Sequence, residues 1–327
     1  MKKKISANSV PAVALALFLV LSAFTGRSSA LQVGFYNRKC GFVDVEAIVR
    51  TVVSFRLAKD PTLVAALLRL QFHDCFVNGC DASILLDGPS SEKTAGANGS
   101  VRGYELIDTI KSILESICPG VISCADIIVM ATRDAVELAK GGRYAVQTGR
   151  LDGKTSLASN VNLPSPSVSV SQVLSAFAKK GLTATDTVLL LGGHTVGITH
   201  CSFIMDRLYN FRGTGKPDPT MNPALVNTLR LRCSRTSSVD NAVNLDQNAT
   251  SALIVDSLFY KQVVARRGIL QIDQQLALDP LTKSTVAALA NATNFVTRFG
   301  SAMVKLGAIH SGLPGEIRRN CRVINKR

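Results

Sequence analysis

Arg69 and His73 stand four residues apart in an otherwise apolar segment, and they form the first pair of side chains in this chain whose combination suggests reactivity. On a helix, residues at i and i+4 share one face, with Cβ atoms roughly 5–6 Å apart. A permanent guanidinium charge would then lie beside a titratable imidazole. Such a pair suits heterolysis of a small polar bond: the imidazole takes a proton and returns it to the leaving atom, while the guanidinium stabilises the developing negative charge. Taken alone, the spacing reads equally well as a core histidine beside an arginine whose stem lies along apolar surface. The residues that follow change that balance. In CFVNGCD, Cys75 and Cys80 bracket a tight turn containing Gly79. Asp74, Asp81 and Ser83 supply oxygen side chains, and an irregular backbone at Val77 and Gly79 can turn carbonyls the same way. A dense set of oxygens is what a hard cation such as calcium binds.

These residues need a helix to carry them. Asp60 and Pro61 make a good start, an oxygen acceptor at the cap followed by a residue whose missing N–H costs nothing in the first turn. Val64, Leu67, Leu68 and Phe72 then fall on one broad apolar face over residues 62–72. A second chemical centre lies at 189–197, LLLGGHTVG, where two glycines precede His194. The helix leading into it is expected to start at Thr183, with Asp186 completing an approximate capping box. Helical spacing also marks residues 45–58, 103–117, 124–140, 169–179, 184–191, 201–209, 253–266 and 283–306, the last as two pieces. Strand patterns are short and weak, and the longest loops fall at 210–220 and 234–244. The fold class is therefore mainly α.

The run 67–87, LLRLQFHDCFVNGCDASILLD, closely resembles the distal signature of the secretory plant haem peroxidases, the class III family that includes horseradish peroxidase. GGHTVG resembles the proximal motif of the same family, and the likeness extends from Phe35 to Arg322. It implies a single domain of about ten helices around one buried haem b. By the resemblance, Arg69 and His73 lie above the iron with Asn98 orienting His73, and His194 is the axial ligand. Asp273, in LQIDQQ, would accept the other N–H of His194, as acceptors near metal-bound imidazoles usually do. Two Ca2+ are implied. Asp74, Val77, Gly79, Asp81 and Ser83 would hold the distal ion, with Glu92 supporting it. Thr195, Asp246, Thr250 and Asp256 would hold the proximal ion, with Ser251 an alternative to Thr250. Pro164 would line the exposed haem edge where aromatic donors bind. The chain departs from the family at Gln71, where a histidine is common, at Tyr144, which replaces the lone tryptophan, and at Leu245, which is not aromatic.

Eight cysteines, none of them in the first 30 residues, suit an oxidising compartment and four disulfides. Sequence alone leaves the pairing open; the resemblance selects Cys40–Cys118, Cys75–Cys80, Cys124–Cys321 and Cys201–Cys233. Residues 1–30 read as a secretory signal peptide, with three lysines, an apolar run and small residues before the cut, so 31–327 is the expected peroxidase domain. Loss of Lys2, Lys3, Lys4 and Arg27 with no acid lowers the formal charge from +14 to +10. An exported protein has little use for nucleic acid, no apolar stretch reaches the length of a membrane span, and acidic cell-wall polysaccharide would attract a basic chain. Residues 323–327 carry no apolar extension, which favours the apoplast over the vacuole. Sequons begin at Asn98, Asn248 and Asn291, the last two being the better sugar sites.

The function implied is a monomeric, secreted phenolic donor:hydrogen-peroxide oxidoreductase that serves wall cross-linking or peroxide removal. The rival reading is a secreted wall-binding protein that keeps the haem-protein fold without turnover.

Overall fold

A computed structural model describes residues 31–326. The expected signal peptide lies outside the described residues. Twelve α-helices occur among them: α1 Val45–Lys59, α2 Leu63–Asn78, α3 Tyr104–Ile117, α4 Cys124–Leu138, α5 Val170–Ala178, α6 Ala184–Leu191, α7 Met205–Tyr209, α8 Pro223–Arg232, α9 Leu258–Val264, α10 Gln271–Leu276, α11 Lys283–Ala290 and α12 Phe295–Gly307.

The centre of the first half is α4. It starts at Ser123, whose side chain accepts from Asp126 N, and nearly every one of its residues is buried. Helices α1, α2 and α3 pack around it. Because α2 touches α4 on one side and α12 on another, it is apolar almost all round. Asp60 shapes its start by accepting from the Thr62 backbone at 3.0 Å, and the first helical residue is Leu63, slightly later than the proline suggests. Its end is also later. The helix continues through Cys75 to Asn78, and only Gly79, at φ +98°, breaks it. A side chain at Gly79 would strike the backbone of His310 and Ser311, so both conformation and space demand glycine there.

In the second half, α6 begins in a reciprocal capping box between Thr183 and Asp186 and runs into a 3₁₀ turn, Gly192–Val196, that carries His194. A side chain on Gly192 would collide with the Tyr260 hydroxyl, which donates to Val188 O at 2.9 Å. Beyond this turn, β1 (Ile198–His200) pairs antiparallel with β2 (Ala242–Asn244), with Thr199 opposite Val243. Leu245 N then donates to Gly197 O at 2.8 Å, which sets Asp246 beside the His194 turn.

Some helices differ from the periodic pattern. Residues 201–209 divide into a 3₁₀ turn at Cys201–Phe203 and a short α7, since Cys201 is held by the adjacent strands and by its disulfide. The pattern over 253–266 yields only α9, because residues up to Asp256 wrap inward as a loop. Helix α8 has no counterpart in the periodic pattern, although Asn222 caps it and Pro223 occupies its first turn.

All four disulfides form as the resemblance implied, Cys40–Cys118, Cys75–Cys80, Cys124–Cys321 and Cys201–Cys233, and no described cysteine is free. Cys124–Cys321 spans 197 residues and fixes the start of the central helix to the C-terminal segment. Replacing both cysteines with serine should lower unfolding free energy by roughly 2–5 kcal/mol. Chemical denaturation of the variant checks this, and an unchanged midpoint would show that the closure is redundant.

Candidate active site and oxygen clusters

The i, i+4 spacing on α2 places Arg69 Nε 3.2 Å from His73 Nε2. Arg69 also donates to Ser100 Oγ and to Ala97 O, both at 2.9 Å, so its guanidinium is held by the loop that follows rather than by a carboxylate. His73 Nδ1 lies 2.6 Å from Asn98 Oδ1, while Asn98 Nδ2 donates to Glu92 O at 2.8 Å. The second bond orients the amide and makes its oxygen the acceptor. Nδ1 of His73 therefore carries the proton, and Nε2 keeps a lone pair on the Arg69 side. Burial, reinforced by the Arg69 charge and partly opposed by Asn98, pushes His73 down to about 4. It is a neutral base at ordinary pH.

Asn98 is buried and bonded at both ends of its amide, so its place is inside rather than under a sugar. Of the other two sequons, Asn291 is exposed and Asn248 half-buried.

His194 has a similar anchor. Its Nδ1 is 2.8 Å from Oδ1 of the fully buried Asp273. Burial works against protonation of His194, but the Asp273 carboxylate prevails and raises it above the ordinary range. Phe259 meets the imidazole edge-on, with centroids 6.1 Å apart. The His194 side chain keeps 30 % of its surface open, although protein surrounds it, and its Nε2 has no partner among the described residues. Helix α2 packs on the Gly192–Val196 turn, and Arg69 is close enough for its charge to disfavour His194 protonation. Arg69, His73 and His194 thus address one interior space.

This arrangement fits an iron porphyrin. A single imidazole with an anchored Nδ1 presents Nε2, and no three His, Cys, Asp or Glu side chains among the described residues could hold a metal by themselves. A porphyrin would bring four nitrogen ligands of its own, so that one imidazole from the protein would suffice.

Below His73, Asp74 and Asp81 converge. Asp74 Oδ2 accepts from Ala82 N and Asp81 Oδ1 from Ser83 N, both at 3.0 Å. Asp74 Oδ1, Ser83 Oγ and both Glu92 carboxylate oxygens are buried without a hydrogen-bond partner. Unpaired buried oxygens are costly. Burial and the Asp81 charge raise Asp74 well above the carboxylate range, and burial raises Glu92 to about 7. A cation bound here would relieve both effects, and the all-oxygen donor set suits calcium. Val77 and Gly79 offer carbonyls only; that of Val77 accepts from Lys180 Nζ at 2.8 Å and keeps one lone pair for other use.

The second cluster differs from the sequence expectation in one residue. Thr195 Oγ1 is 3.2 Å from Ile254 O and 3.4 Å from Asp256 Oδ1. Ser251, not Thr250, joins Asp246: its buried hydroxyl donates to Asp246 Oδ2 at 2.6 Å. Thr250 is exposed and bonds to Asn248 Oδ1. An Asx turn at Asn248 directs it outward, and nothing in the local sequence distinguishes the two hydroxyls. Pro164 is half-buried in a loop whose Pro166 O accepts from Ile272 N at 3.0 Å, next to Asp273. Sequence reading also misses Arg318. It is fully buried beside Asp152, donates to Ala82 O at 2.6 Å, and places one positive charge among the acids of the first cluster.

The fold and this pairing of histidines define a haem-peroxidase architecture. The peroxidase family model matches residues 49–292. Peroxidase 60 of Arabidopsis thaliana is 53% identical over 98% of this chain and 97% of its own length. Peroxidase 57 and Peroxidase 28 of the same plant are 50% and 46% identical, each over 94% of this chain and over 97% and 98% of their own. The chain belongs to the plant class III peroxidases. It is a peroxidase, and the reading as a wall-binding protein without turnover is set aside.

Protonation of His73 Nε2 would fill the lone pair that accepts a proton from substrate. The rate of reaction with hydrogen peroxide should therefore be flat from neutral pH to about 5 and fall as pH drops through about 4. A stopped-flow profile with its midpoint near 6.5, the ordinary histidine value, would show that burial and Arg69 do not depress the His73 base.

Proposed function

We propose that the protein is a secreted phenolic donor:hydrogen-peroxide oxidoreductase, acting as a monomer in the plant cell wall, and that the two Nδ1-anchored histidines around Arg69 carry this reading. His194 would hold the iron of haem b, with Asp273 making its imidazole a stronger electron donor. Bound haem supplies the redox centre that peroxide oxidises and that two single-electron donors restore. The protein's own part is proton handling. His73 Nε2 takes the proton from one peroxide oxygen and delivers it to the other, which leaves as water. Arg69 shares its Nε–H between His73 and the oxygen that gains negative charge, and its bonds to Ser100 and Ala97 keep it from following the substrate. Asn98 keeps His73 in the reactive tautomer.

Phenols reach the site beside Pro164, and wall cross-linking is the use that a basic exported oxidant fits best. Among the described residues, no helix is long and apolar enough to cross a membrane. Calcium in the first cluster, held by Asp74, Asp81 and Ser83 with Val77 and Gly79 carbonyls, would fix Glu92, whose backbone oxygen positions Asn98. Calcium in the second, held by Thr195, Asp246, Ser251 and Asp256, would fix the residue after His194.

His73→Leu should retain haem absorbance and lose roughly 10²–10⁴ in its rate with peroxide; an unchanged rate would remove His73 from the mechanism. Chelation of calcium should cost about 2.7 kcal/mol for each ion held at 100 times its Kd, lowering Tm by roughly 5 °C per site. Restoration by calcium but not magnesium is expected, and a protein that contains no calcium and ignores chelator would overturn both sites.

A further inference from the structure

The outer side of the turn after α2 borders an open cavity of about 550 Å³, within the range of small-ligand sites. Its walls are the end of α2 (Val77, Gly79), the residues after α5, and the segment after α12. The polar side chains that line it are Asn78, Lys179, Lys180, His310 and Ser311, and no acid is among them.

Every one of these groups has a hydrogen to give. Lys180 is half-buried, spends one N–H on Val77 O, and keeps two. Neither Lys179 nor Lys180 forms an ion pair among the described residues, as is true of most lysines on this surface, so both ammonium groups are available to an anion. His310 Nδ1 accepts from Gly312 N at 2.8 Å, which leaves Nε2–H as its free donor. Ser311 Oγ accepts from Leu313 N, so its hydrogen is also free. The walls hold their places before any ligand arrives: Cys80 N donates to Ile309 O at 3.0 Å, and Gly79 packs on the backbone of His310 and Ser311.

A preformed cavity that offers several donors and two ammonium groups without an ion pair, and no carboxylate, has the chemistry of a carboxylate site. Its breadth exceeds what one small anion needs, and its polar walls suit a hydroxylated ring better than an aromatic one. We propose that this cavity binds the uronate units of an acidic polysaccharide, with Lys180 and Lys179 taking carboxylates and His310, Ser311 and Asn78 the hydroxyls. The proposal rests on the wall-associated part of the proposed function, which it deepens, and it can be tested apart from the peroxide chemistry: Lys179, His310 and Ser311 touch neither histidine site, and Lys180 meets the first oxygen cluster only through Val77 O.

The test is calorimetric titration of the calcium-loaded holoprotein with trigalacturonate, with the neutral galactose trimer and a hydroxycinnamate as comparison ligands. Trigalacturonate alone should bind, more weakly as salt rises. Lys180→Gln and Lys179→Gln should each weaken binding at least about 5-fold, as removal of one hydrogen bond between charged groups does, and Lys179→Gln, which touches no part of the oxygen cluster, should leave the peroxide rate unchanged. Lys283→Gln, an exposed charge on α11, should leave binding intact. Equal weakening by Lys283→Gln would reassign the attraction to overall charge and overturn the site. Preference for the hydroxycinnamate, or equal binding of the neutral trimer, would overturn the ligand class. Loss of peroxidase activity with trigalacturonate binding intact would contradict the enzymatic reading and leave this one standing.

Discussion

Each of the two interior histidines has its Nδ1 committed to a buried oxygen, and the rest of the site depends on that constraint. An imidazole has two nitrogens, and once one is tied the other has only one role left. For His73 the tie is a neutral amide, too weak to offset burial and the Arg69 charge, and a weak base remains with its lone pair available. For His194 it is a carboxylate, which makes the ring electron-rich. Two chemically identical side chains thereby acquire different properties, because burial and the Arg69 charge outweigh Asn98 at His73 while the Asp273 carboxylate outweighs burial at His194. The difference is the one needed between a group that shuttles protons and a group that donates to a metal.

These ties are anchored in turn by elements that have no chemistry of their own. Asn98 is oriented by the backbone of Glu92, whose carboxylate lies in the oxygen cluster beneath α2. That cluster sits at the end of the helix that carries Arg69 and His73, within a turn closed by Cys75–Cys80. A cation there would stabilise the fold and hold the proton shuttle at the same time. On the other side, the β1–β2 pair brings Asp246 to the turn after His194. Both oxygen clusters therefore flank a histidine, and loosening either would disturb an imidazole before it unfolded a helix.

The buried charges nearby follow from the same arrangement. Asp74, Asp81, Glu92 and Asp152 lie close together with one buried arginine, Arg318, among them. Acids outnumber bases, so the region favours positive charge. The outer face of the same turn has the opposite character, with Lys180 reaching Val77 O from outside. One turn of backbone thus separates a surface that attracts cations from one that attracts anions.

Local periodicity and composition were enough to determine that Arg69 and His73 share a face, that α6 is capped by Thr183 and Asp186, and that eight cysteines belong to disulfides. Motif resemblance added the partners of His73 and His194. All of these are carried by residues close in sequence or by strings of unusual composition. Tertiary structure alone decided that Ser251 faces Asp246 while Thr250 faces out, because nothing in the local sequence distinguishes the two hydroxyls and only the folded loop buries one against Asp246 and turns the other onto Asn248. It likewise decided that Asn98 is an interior residue despite its sequon, that α2 extends past Cys75 before Gly79 stops it, and that Lys180 lies over the turn. The sign and size of a pKa shift belong to this second class too. They depend on what lies across the interior from a side chain, and the positions of atoms brought together by long-range crossings of the chain cannot be read from residue spacing.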